Sequence, residues 1–76
     1  MNKDISELGM MAIQDCREEV SNRRGSGHTI PAIVEMELPF MGLSFLAALE
    51  KKNTAEIVIS FQRIDRVYFQ LFGRSI

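Results

Sequence analysis

Apolar residues fall along this chain in three blocks, and the first keeps helical time. Ile5, Leu8, Ala12, Cys16 and Val20 recur at intervals of three and four, while Gln14, Asp15, Arg17, Glu18 and Glu19 fill the positions between. That spacing predicts an amphipathic helix over residues 4–24. Asp4 stands at its start with Glu7 three residues on, the spacing of a capping box. Arg23 and Arg24 occupy its last turn, where positive charge suits the negative end of the helix dipole, and Gly25 follows as a stop.

The second block, "TIPAIVEMELPF", fits two patterns. As a strand it puts Ala32, Val34, Met36, Leu38 and Phe40 on one face, with Glu35 and Glu37 on the other. As a helix it takes Thr29 as cap and Pro31 in the first turn, and Ile30, Ile33, Val34, Leu38 and Met41 form the stripe. Pro39 and Gly42 are expected to end or kink either element. The following "LSFLAALEKK" predicts helix, with Lys51 and Lys52 at its carboxyl end.

The third block decides the fold class. Ile57, Phe61, Ile64, Tyr68 and Leu71 are spaced four, three, four, three, a heptad seam that Val58, Val67 and Phe72 widen. Asn53 and Glu56 repeat the capping-box spacing, and Gly73 closes the element. A hairpin of "EIVISF" with "RVYFQLF" is the competing pattern, but its turn, "QRID", lacks glycine and asparagine. The expectation is therefore an all-α fold, one domain over residues 1–76, built as a small antiparallel bundle of three or four helices. The alternative is an α+β domain with a small antiparallel sheet.

Size and charge then narrow the function classes. A chain of 76 residues is short for burying a core alone, yet 46% of it is hydrophobic. Met10, Met11, Met36, Phe40, Met41 and Phe69 exceed what the stripes absorb, which points to a contact surface and to a homodimer or larger assembly. The heptad seam of the last helix, with Phe61 and Tyr68 near its centre, is the expected self-association surface. Net charge is −1, which disfavours a nucleic-acid partner. Its distribution is uneven: residues 1–50 sum to −4 and residues 51–76 to +3. The amino-terminal "MNKDISELG" is too polar for a signal peptide, and no apolar run is read as approaching the ~18 residues of a membrane span. A cytoplasmic location and no membrane partner are the expectation.

Three sets of residues invite chemistry. In "RRGSGH", Arg23, Arg24 and His28 supply charge, and Gly25 and Gly27 let backbone N–H groups approach, so the loop is a candidate site for an anion or nucleotide. It lacks the lysine and preceding strand of a phosphate loop. As a plain linker, its two arginines should cost only a few tenths of a kcal/mol on removal. Cys16 with His28 or Asp15 makes a poor catalytic set, because Cys16 lies on the apolar stripe about three turns before His28. The acidic pairs Glu35/Glu37 and Glu18/Glu19 could bind a cation or meet a basic partner, but such pairs are more often solvated faces. Finally, Gln62, Arg63, Arg66, Gln70 and Arg74, with Tyr68 and Phe69 close by, form a basic, amide-rich strip suited to an acidic protein or a nucleic acid, or simply the exposed face of a terminal helix; Phe61, Arg63, Arg66, Tyr68 and Gln70 are the expected partner-binding residues. No residue set supports an enzyme, and none calls for a metal or cofactor. The expectation is a small macromolecule-binding protein acting by protein–protein contact, of the kind found among phage and bacterial regulators and inhibitors. The alternative is a small-ligand binder using the Arg23–His28 loop.

Overall fold

The computed structural model describes residues 4–76; the polar start of the chain, Met1 to Lys3, lies outside them. The fold is all-α: α1 spans Ile5–Ser26, α2 Ala32–Lys51 and α3 Thr54–Phe72, each packed against the other two. No strand occurs among the described residues. The α+β alternative falls, because "TIPAIVEMELPF" continues into "LSFLAALEKK" as one helix.

The helix ends follow their local chemistry. The Asp4 carboxylate accepts the backbone N–H of Glu7 at 2.9 Å and the Ser6 hydroxyl at 2.7 Å. These bonds, the hydroxyl first, hold its carboxyl below the usual range. At the other end α1 passes through Gly25 and stops two residues later than expected. Gly27 adopts φ 72°, and the N–H groups of Gly27 and His28 donate to the carbonyls of Arg24 and Arg23. That is a Schellman closure, and it needs left-handed backbone at Gly27 rather than at Gly25. Thr29 does not cap α2; Pro31 does, by backbone alone. Only Lys52 and Asn53 separate α2 from α3. Lys52 takes the left-handed position at φ 54°, and Asn53 turns its side chain onto the N–H of Glu56 at 3.2 Å. So short a link sends α3 back alongside α2, and the tilted rings of Phe45 and Phe61 meet with centroids 6.4 Å apart.

Pro39 neither ends nor divides α2. A mid-helix proline removes one backbone bond at a cost of ~3 kcal/mol. Here Pro39 and Glu35, the residue whose carbonyl loses its donor, are both exposed. Gly42 is buried against α1, where an added Cβ would lie 2.9 Å from an Arg17 Nη atom and 3.9 Å from Ile13 Cγ2. It permits close approach rather than a kink.

The core combines Ala12, Ile13, Cys16 and Val20 of α1 with Val34, Met41, Phe45 and Ala48 of α2 and Ile64, Val67, Tyr68 and Leu71 of α3. The stripes expected on α1, α2 and α3 are thus the inward faces. Ile5 and Val58 are exceptions, both turned outward.

Candidate functional site

Consider first the loop after α1. Arg23 is committed to structure. Its Nε donates to Glu19 at 2.8 Å and one Nη to the Leu71 carbonyl at 2.8 Å, tying the end of α1 to the end of α3. Arg24 pairs with Glu35 of α2 at 2.7 Å. Gly25 sits inside the helix, Gly27 forms its closure, and the backbone N–H of His28 is spent on the Arg23 carbonyl at 2.9 Å. Both guanidinium groups already hold carboxylates. The loop is a helix stop and two tethers.

The basic strip on α3 is divided. Phe61 is half-buried and Tyr68 is only 8% exposed, both turned into the core, while Arg63, Arg66 and Gln70 face solvent. This corrects the expectation that the heptad seam carries self-association: α1 and α2 already cover it. The Arg74 guanidinium lies 5.6 Å from the Tyr68 ring centroid and donates to the Tyr68 hydroxyl at 3.2 Å. Tyr68, Phe72 and Arg74 line a shallow cleft of about 150 Å³ with Asp15, Glu18, Glu19 and Asn22. Its carboxylates are partly engaged, Glu19 with Arg23 and Glu18 with Gln14. Among the described residues no group of three His, Cys, Asp or Glu side chains is placed to hold a metal ion. Cys16 is fully buried, and burial, with a smaller push from the Asp15 charge, raises its thiol to about 11. It is no nucleophile at neutral pH.

The structure singles out a surface that the sequence indicated only in fragments. The outward face of α2 carries Met36, Pro39, Phe40, Leu43, Leu46 and Ala47. Met36 and Leu43 are each 70% exposed and Phe40 64%. At 100° per residue, positions 36, 40, 43 and 47 form one line down the helix. No charge lies on that line between Ala32 and Ala47; Glu35 flanks it on the edge that holds Pro39 and Leu46. Because the opposite face fills the core, α2 is apolar nearly all round. Lone exposed apolar residues are ordinary; here they are contiguous along one helix face. The signal in the sequence was the second four-three-four spacing in α2, out of phase with the inward one. Ile59 and Phe69 on α3 and Met10 and Met11 on α1 are also exposed.

Helix α2 is also long and apolar enough, at 20 residues and mean hydropathy 1.6, to cross a membrane by length and composition. This corrects the expectation that no run approaches such a length; Glu35, Glu37 and Pro39 disguise it. A buried core helix has the same composition, and Val34, Met41, Phe45 and Ala48 put α2 in the core.

No protein-family model matches the chain, and no curated protein or solved structure is significantly similar to it. The functional reading therefore rests on geometry.

Proposed function

We propose that this chain is a small cytoplasmic protein-binding protein, an antiparallel three-helix scaffold that presents the outward face of α2 to another protein chain. A regulator or inhibitor that acts by occupying its target fits this form. The observation that carries the proposal is the uncharged line from Met36 to Ala47, left open by a fold that buries the inward stripes of its three helices. Burying each large side chain of that strip is worth ~1.5–3 kcal/mol, which gives a partner several anchors along one helix, the helix-face mode of recognition. The anion-binding alternative loses support because Arg23 and Arg24 are already paired.

The test is a photo-reactive residue at Leu43, introduced in the cells that make the chain, with the same residue at exposed Gln14 of α1 as the control. A protein adduct at position 43 and none at position 14 is expected. Absence of any adduct at position 43 would overturn the proposal.

A further inference from the structure

We infer that the chain docked on the α2 face is a second copy of this protein, packed antiparallel about a two-fold axis that passes between Phe40 and Leu43. The inference rests on the binding role just proposed for that face, and it names the occupant.

Two features of α2 carry it. The first is the order of side-chain sizes. In an antiparallel pair centred between Phe40 and Leu43, Phe40 of each copy meets Leu43 of the other, and bulky Met36 meets small Ala47. The summed volumes along the seam are then more even than in a parallel pair, as close packing favours. A parallel pair would set Phe40 on Phe40 and Met36 on Met36, then leave Ala47 on Ala47 with a void between. Such an isologous contact is self-complementary by symmetry.

The second feature is charge. The first two turns of α2 carry Glu35 and Glu37 and no base. The last turn carries Lys51, with Lys52 next, against Glu50. Antiparallel packing brings the acidic end of each α2 toward the basic end of the other and opposes the two helix dipoles; parallel packing would stack like charges. Glu37 and Lys51 have capacity left, since their pairs with Arg63 and Glu56 within the chain are long, 3.9 Å each, whereas Glu35 already holds Arg24 at 2.7 Å. A different apolar partner would not require both the size order and the charge order to be self-complementary.

The test uses the purified full chain. Sedimentation equilibrium at micromolar concentration should give twice the 8.7 kDa chain mass, and Leu43→Glu should give a folded species of single mass. Cysteine pairs then fix the orientation. In the antiparallel pair the two copies of position 36 lie roughly 16 Å apart along the axis, beyond the ~7 Å Cα separation that a disulfide spans. Met36→Cys alone and Ala47→Cys alone should therefore give no linked dimer under mild oxidation, whereas an equimolar mixture of the two should link. The unsubstituted chain, with Cys16 buried, is the control. A monomeric wild type overturns the inference, and so does self-linking of Met36→Cys. If the wild type is monomeric but the Leu43 photo-adduct has the mass of a different protein, the binding role stands and only the second copy falls. If there is neither a dimer nor an adduct, both fall.

Discussion

Gly9 sits in the second turn of α1, inside the helix, where alanine should be the better residue. In an open helix the change from glycine to alanine stabilises by ~0.8–1.0 kcal/mol. Here the structure predicts the opposite sign. An added Cβ at Gly9 would lie 2.5 Å from Cε2 of Phe45, and the Phe45 side chain is fully buried. The ring is held by the core on its other sides, so either it or α1 must move. Overpacking of this kind costs ~1–3 kcal/mol, and the net expectation is a loss of about 1 kcal/mol. For a domain of this size that lowers the thermal midpoint by ~4–8 °C, read by circular dichroism at 222 nm. Two controls isolate the cause. Gly25→Ala, in the last turn of α1 with nothing within 4 Å of its Cβ, should stabilise. In a Phe45→Leu background, Gly9→Ala should lose its penalty, a coupling that a double-mutant cycle measures. A higher midpoint for Gly9→Ala in the otherwise unchanged chain would refute the close approach of α1 and α2 at this point.

Other outcomes follow from single contacts. Arg23→Ala should cost about 1.5 kcal/mol or more, because it removes a partly buried charged donor from the Leu71 carbonyl, whereas Arg24→Ala, breaking an exposed pair, should cost only ~0–1 kcal/mol; equal losses in urea titrations would contradict this. Lys52→Gly should raise stability by up to ~1 kcal/mol, read in urea titrations, since lysine is strained at φ 54°, and a fall in stability would contradict that strain. Native Cys16 should resist thiol reagents at pH 8. Because its thiol is raised to about 11 when folded, the unfolded chain releases that proton first as pH rises; stability held below pH ~9 is lost toward pH 11, and Cys16→Ala should flatten that slope in denaturant titrations.

The sequence announced its helices where period and punctuation agreed. Asp4 with Glu7 and Asn53 with Glu56 marked two starts because a capping side chain acts on its own neighbours. The stripe of α3 was legible because a four-three spacing survives whatever packs on it. What it packs on was not legible: the same spacing serves a core or an interface, and Phe61 and Tyr68 proved to be core. The identity of α2 stayed open because both faces are apolar, so a strand's alternation and a helix's stripe could each be traced through residues 30–41. Gly25 and Gly27 are equally good stops on paper, and only the Schellman bonds select Gly27. Leu43 and Leu46 escaped notice as surface residues because nothing local distinguishes an outward leucine from an inward one. Gly9 offered a missed clue, since a lone glycine inside a helical pattern often marks a close crossing.

The most direct measurement is oxidative footprinting of methionines in intact cells that make the chain. Met36 and Met41 lie in the same helix, one 70% exposed within the single chain and the other 4%, and sulfoxide formation tracks access to the sulfur. If the outward face of α2 is a binding surface in use, Met36 should be as well protected as Met41 in the wild type and should oxidise readily in Leu43→Glu. Rapid oxidation of Met36 in the wild type, equal to that in the variant, would show the face uncovered and contradict the account.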